Sequence, residues 1–264
     1  MTTANGWLLA PGAVLASVVM LAVWLRQRRT HDATAVDVAW AANLALLAIL
    51  YASLAGGLAA RRACVALLVV LASGRLAWHL FRDRAQRPVE DARYRALRAA
   101  WGDRAQRNFF WYFQAQALLD VLLSTTFLLA CMSRAPLSAL DLVALALWIA
   151  GFVGETVADR QLARFRAEPG HRGRTCRTGL WRYSRHPNYF FQWVMWCAYA
   201  LFAWSAPLGW AGALSPLVML FLIVRVTGIP PTEAQALRSR GDDYRAYQRT
   251  TSAFVPWFPR WSNR

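Results

Sequence analysis

The feature that most limits what this chain can fold into is the length of its apolar runs. Residues 7–25, 34–55, 63–81, 109–131, 138–158, 189–206 and 209–226 are each 18 residues or more. A helix rising about 1.5 Å per residue crosses a hydrocarbon core of about 30 Å with a run of that length. The first run has no basic segment before it and no small-residue cleavage site after it, so it reads as a retained helix. The sequence therefore predicts an all-α polytopic membrane protein with about seven transmembrane helices, forming a single membrane domain over 1–264.

Composition matters next, through charge. All 30 basic residues are arginine. The segments 26–33, 82–108, 159–188 and 227–264 hold 25 of them, whereas the alternate loops hold Arg61, Arg62 and Arg134. The positive-inside rule then puts the N-terminus outside and the C-terminus in the cytoplasm, and a bacterial inner membrane is the expected location. A net charge of +16 split over short membrane-pinned loops, with no nucleic-acid motif, argues against a nucleic-acid partner. Anionic lipid headgroups account for part of the excess. Eight arginines in each of 82–108 and 159–188 exceed what topology needs and point to an anionic ligand. Cys64, Cys131, Cys176 and Cys197 stand singly and the histidines are dispersed, which argues against disulfides, zinc or other metal chemistry.

The long cytoplasmic loops are where function is expected. Residues 158–165 read as a continuation of the fifth helix into water, ended by Glu168-Pro169-Gly170, with Asp159 and Arg166 near one face. From Glu155 to Gln192 the chain combines arginines with Asp159, His186, Asn188 and Tyr189. Guanidinium forks grip phosphate oxygens, carboxylate and amide groups read ribose or amide, and aromatic rings stack on flat ligands. That inventory suits a phosphorylated dinucleotide, and its bland alternative is a solvated positive-inside loop. There is no G-x-G-x-x-G, so a Rossmann domain is excluded, and Gly151 with Gly154 reads as helix packing. Arg225 and Glu233 flank a helix-ending Thr227-Gly-Ile-Pro-Pro231; a buried Arg225 needs an anion, and otherwise it snorkels. Inside the runs, Asp37, Asn43, Arg75, His79 and Asp120 are costly, and an Asp37–Arg75 pair stands open beside a catalytic role for Asp37.

At Gly179-Leu-Trp-Arg-Tyr-Ser-Arg-His-Pro-Asn-Tyr189, followed by Gln192, the chain resembles the steroid 5-alpha-reductase family, particularly its bacterial members. Asp37-Val-Ala-Trp40, Gly74-Arg-Leu-Ala-Trp-His79, Glu90-Asp-Ala-Arg-Tyr94 and Asp243-Tyr-Arg-Ala-Tyr-Gln248 with Pro256 extend the likeness over most of the chain. The resemblance implies a reductase that takes NADPH from the cytoplasm and a lipophilic enone, such as a 3-oxo-Δ4 steroid, from the bilayer, acting as a monomer among membrane lipid. Residues 1–131 would contribute mainly the substrate pocket and 138–264 mainly the cofactor site. It aligns Arg87, Asp159, Arg166, Arg174, Asn188, Gln192 and Arg225 with cofactor contacts, and His186, Tyr189 and Glu233 fall in the same set. The family's Glu and Tyr that hold the substrate carbonyl have no counterpart at the expected places. An enolate formed by hydride attack on the β-carbon needs a hydrogen-bond donor in a dry pocket. Asp37 in its protonated form, Trp40, Tyr94 and Tyr112 are the candidates. Arg-His-Pro-x-Tyr with Glu233, Tyr244, Tyr247 and Pro256 is also similar to membrane methyltransferases that use S-adenosylmethionine on prenylcysteine or phospholipid, against which Asp159, Arg166, Arg174 and Asn188 favour the reductase. A non-catalytic sterol-binding protein is the third reading.

Overall fold

The computed structural model describes residues 6–85 and 89–259. Among these the regular structure is helical, and two compact units divide it, Met1–Leu137 with Phe202–Ser215 and Ser138–Leu201 with Pro216–Arg264.

The first unit contains α1 (Leu9–Thr30), α2 (Ala35–Leu54), α3 (Ala59–Leu80), α4 (Ala92–Trp101) and α5 (Ala105–Met132). Four of these follow the apolar runs, whereas α4 is a short charged helix that the runs did not announce. It starts because Asp91 accepts a hydrogen bond from the Arg93 amide at its N-cap. Helix α2 packs most closely on α3, and α1 on α5, around Met20, Leu47, Tyr51, Phe113 and Phe127. On α1 the exposed Val14, Val18, Leu21 and Leu25 recur at helical spacing, an apolar stripe fit for lipid. The costly intramembrane groups find each other: Asn43 Nδ2 donates to Asp120 Oδ2 at 3.0 Å, and farther along the same two helices Tyr51 and Ser124 hydroxyls meet at 3.4 Å. The arginines of the sparsely charged loops are structural. Arg61 donates to the carbonyls of Phe202 and Pro136, Arg62 to those of Ala52 and Ala55, and Arg134 to that of Gly56. They satisfy carbonyls that helix ends leave open.

The second unit holds α6 (Ala139–Ala167), most of α7 (Pro187–Ala203), α8 (Leu214–Phe221) from Pro216 onward, a π-turn Leu222–Val226, and α9 (Ile229–Thr250). Helix α6 opens with a capping box between Ser138 and Asp141 and runs past the apolar stretch to stop at an extended Glu168, as the sequence predicts. Its packing on α7 depends on Gly154, where a Cβ would lie 2.4 Å from the Phe191 ring. Six helical stretches are long and apolar enough to cross a membrane. Helix α7 is apolar but has only 17 residues, so the sixth run, 189–206, forms a shorter helix than the sequence predicts. The last stretch, Gly209–Thr250, changes character partway. Its apolar part ends at the π-turn, and α9, with seven charged side chains, lies beyond the membrane-spanning segment.

Candidate functional site

In the first unit, Asp37 sits in the first turn of α2, where a carboxylate suits the positive end of the helix dipole. Its Oδ2 accepts from Arg93 Nη2 at 2.6 Å and its Oδ1 from the Tyr94 hydroxyl at 2.6 Å. With a guanidinium on one oxygen and a phenol on the other, Asp37 is an acceptor on both sides. Tyr94 is 1% exposed, and the Tyr112 ring meets it edge-on at 6.2 Å. The Tyr112 hydroxyl accepts from Gln116 Nε2 at 3.2 Å, which leaves its own proton to give. Trp40 lies one turn beyond Asp37, and its indole Nε1 is buried with no acceptor among the described residues. Thus Asp37, Tyr94 and Tyr112 are brought together by contact, with Trp40 on the same helix face as Asp37.

What fixes this cluster is a second set of bonds that the sequence did not single out. Glu90 accepts both Nε and Nη2 of Arg98, at 3.3 and 2.8 Å, and also the Ala33 amide at 2.8 Å. The Thr34 hydroxyl accepts from the Asp91 amide at 2.9 Å. The entrances to α2 and α4 are thereby stapled together. The closeness of Glu90, Asp91, Arg93 and Arg98 in sequence was the available signal, hidden inside a loop that reads as generic positive charge.

In the second unit the predicted residues divide into three groups. Glu233 is a hub: its Oε1 accepts from Arg185 Nε at 2.7 Å, His186 Nε2 at 3.2 Å and the Tyr244 hydroxyl at 3.2 Å, and its Oε2 from Gln248 Nε2 at 2.7 Å. Partial burial raises the Glu233 pKa, but the hydrogen bonds from His186 and Arg185, the Arg185 charge and Gln248 outweigh it and hold the carboxyl at about 2. His186 is 3% exposed, and burial lowers its pKa despite the carboxylate, so the ring is neutral and donates from Nε2. Tyr189 stacks on it at 5.4 Å and reaches the Thr232 hydroxyl at 3.2 Å. Tyr247 donates to the carbonyls of Trp181 and Ser184, and Trp181 Nε1 to that of Ala158 at 2.9 Å. Gly179, at φ +59, lies so close to the Gln161 amide that a Cβ would come within 2.4 Å. These bonds clamp the segment 178–186 between α6 and α9.

The second group is a pair: Asn188 Nδ2 donates to Asp159 Oδ1 at 3.2 Å, joining the starts of α7 and the water-exposed end of α6. The third comprises Arg166, Arg174, Gln192 and Arg225, whose side chains make no hydrogen bond or ion pair with a described residue. The three arginines are exposed, including Arg225 on the π-turn, where burial was one of two readings. Arg240, unforeseen, joins them: burial lowers its pKa, with the nearby Arg166 charge acting in the same direction, and its guanidinium covers the Tyr244 ring at 5.1 Å. Arg240 also feels the Asp243 carboxylate, whereas Arg166, Arg174 and Arg225 have no ion-pair partner among the described residues, and such guanidinium groups are suited to a polyanion. Arg87 lies outside the described residues. Among the described residues no group of acids, cysteines and histidines could hold a metal ion.

Residues 23–251 match the family described as a protein of unknown function, DUF1295. A stretch of 77 residues is 40% identical to 3-oxo-5-alpha-steroid 4-dehydrogenase 1 of Bos taurus, covering 29% of this chain and 29% of that protein. No solved structure matches the chain.

Proposed function

The chain belongs to the DUF1295 family of steroid 5-alpha-reductase-like proteins, and from that premise we propose that it is an NADPH-dependent reductase of a 3-oxo-Δ4 steroid or similar lipophilic enone. The observation that carries the cofactor reading is the set of arginines with no ion-pair partner among the described residues, Arg166, Arg174 and Arg225. S-adenosylmethionine carries no phosphate for them to neutralise, whereas NADPH carries three. The Glu233–Tyr244–Tyr247 residues shared with the methyltransferases are spent on holding 178–186, so that motif serves as scaffold for either class.

When bound, NADPH supplies the hydride for the β-carbon of the enone. Arg166, Arg174 and Arg225 would hold its phosphates, and Asp159 with Asn188 would read ribose or amide groups. In the first unit, Trp40 Nε1 and the Tyr112 hydroxyl hold protons with no acceptor, and each would donate to the substrate carbonyl as charge gathers there. A donor held in a dry site stabilises an enolate oxygen far better than water does. Asp37 accepts from Arg93 and from Tyr94 and so orients Tyr94, whose ring abuts Tyr112. The cofactor site would face the cytoplasm of a bacterial cell, with substrate arriving from the bilayer.

The decisive experiment follows oxidation of NADPH by the purified protein with a 3-oxo-Δ4 steroid, and binding of NADPH, NADH and S-adenosylmethionine. Steroid-dependent oxidation that collapses in Trp40→Phe/Tyr112→Phe with NADPH affinity kept is expected. Binding of S-adenosylmethionine in place of NADPH would transfer the reading to the methyltransferases, and binding of neither would leave a sterol-binding protein.

A further inference from the structure

We propose that the pocket beside the C-terminal arm of the second unit is a binding site for the phosphodiester headgroup of an anionic membrane lipid. After α9 the chain turns back along the segment before α7. Arg185 donates its amide to the Ser252 carbonyl at 2.8 Å, Ser184 Oγ donates to the Phe254 carbonyl at 2.7 Å, and the Trp257 amide to the Tyr183 carbonyl at 2.9 Å. Phe254 packs on Phe190 and Trp193 at 5.7 and 5.9 Å, which pins the arm to the opening turns of the apolar α7. The arm is thus held where an apolar helix meets polar chain, the level at which lipid headgroups lie.

Past Phe254 the arm turns apolar side chains outward: Trp257 is 70% exposed and Phe258 75%, with Val255 beside them. Together with Arg185, Gln248 and Arg249 they border a cavity of about 470 Å³. The two arginines differ in a useful way. Arg185 is fixed, its Nε on Glu233 and its Nη1 on the carbonyls of Gln248 and Thr251, so its remaining nitrogen is held in one direction. Arg249 is exposed and makes no bond to a described residue, free to close over an anion. A guanidinium pair grips phosphate, while tryptophan and phenylalanine favour the boundary between headgroup and acyl chain. A soluble anion would need the arginines but gain nothing from three exposed apolar side chains. None of Arg166, Arg174 and Arg225 borders this cavity, so the inference stands apart from the cofactor reading.

The test uses the full chain in mild detergent, with phosphatidylglycerol or phosphatidylcholine added and bound lipid counted by native mass spectrometry. The wild type is expected to retain phosphatidylglycerol over phosphatidylcholine, and Arg249→Gln to weaken that retention roughly fivefold, the effect of one arginine near an anionic surface. Arg249→Lys restores part of it. Trp257→Ala/Phe258→Ala is expected to weaken retention of both lipids while keeping the preference. Because Arg249 has no partner among the described residues, Arg249→Gln keeps the wild-type Tm. Equal retention of the two lipids by the wild type, or unchanged preference in Arg249→Gln, overturns the proposal. So does displacement of the lipid by inorganic phosphate at matched concentration, which would mark a site for soluble anions.

Discussion

Set side by side, the two units each use arginine in two different ways. In the first, Arg93 and Arg98 are matched by Asp37, Asp91 and Glu90, and Arg61, Arg62 and Arg134 by backbone carbonyls. In the second, Arg177 and Arg185 are matched by Asp243 and Glu233, yet Arg166, Arg174, Arg225 and Arg249 have no carboxylate among the described residues, and Arg95, Arg104 and Arg107 of the first unit share that condition. Matched arginines hold segments in place, and unmatched ones have charge to spend on a ligand. The distinction cannot be made by counting residues in a loop, because both kinds occur within a few positions of each other.

Four substitutions break or sharpen this contrast. The largest effect is expected from Glu233→Ala, which strands Arg185 and three other donors at once. A loss of about 3 kcal/mol, read from unfolding in detergent, is the scale for removing one partner of a poorly exposed ion pair. If Glu233→Ala unfolds like the wild type, the hub is not what clamps 178–186. Next comes Tyr112→Phe, which removes one proposed donor to the substrate oxygen. A fall in kcat of about a hundredfold with unchanged NADPH affinity is expected, as for one donor of an oxyanion site; a change in KM alone would place Tyr112 in substrate binding only. Arg166→Ala is expected to weaken NADPH binding about tenfold, by titration, with Tm unchanged. Arg93→Ala is the counterpart, lowering Tm without moving NADPH affinity, and the same response from both would erase the contrast.

The smallest effect is in pH. His186 has a folded pKa below its ordinary value of 6.5, because burial penalises the cation, so unfolded chains bind its proton first. Stability from this group is complete above 6.5 and declines as pH falls below it. Glu233 has a folded pKa of about 2 against an ordinary 4.5, so its contribution is complete above 4.5 and is lost as pH falls towards 2. Acidification should therefore weaken the protein in two steps. His186→Gln is expected to remove the upper one and Glu233→Gln the lower, followed by thermal unfolding against pH.

The spans were legible because apolar runs of bilayer length have few other uses, and the Gly154 contact and the Glu168 stop followed from small and helix-ending residues. Helices α4 and α9 were not, since neither carries an apolar run and both owe their place to contacts with distant chain. The residues of the two clusters were legible as types in a pattern, Asp37 with Tyr94 and His186 with Glu233 among them. Their roles were not. Whether an arginine is matched depends on a carboxylate brought from elsewhere: Glu233 lies 48 positions from Arg185 and Asp37 lies 56 from Arg93. One signal was partial: Tyr244 and Gln248 are four apart on one helical face, but Glu233 lies on the other side of a break at Gly241, where φ is +50, so spacing alone could not bring it to them.

The clamp on 178–186 also sets an order of events during synthesis. Its anchors, Glu233, Tyr244, Tyr247, Gln248 and the carbonyls of Thr251, Ser252 and Phe254, all emerge from the ribosome some 50 to 70 residues after the segment they hold. Until then the arginines that follow α6 are tethered on one side only. The clamp is thus assembled last, and a ribosome stalled before residue 233 would leave a chain with most of its apolar helices made and the segment 178–186 still unanchored.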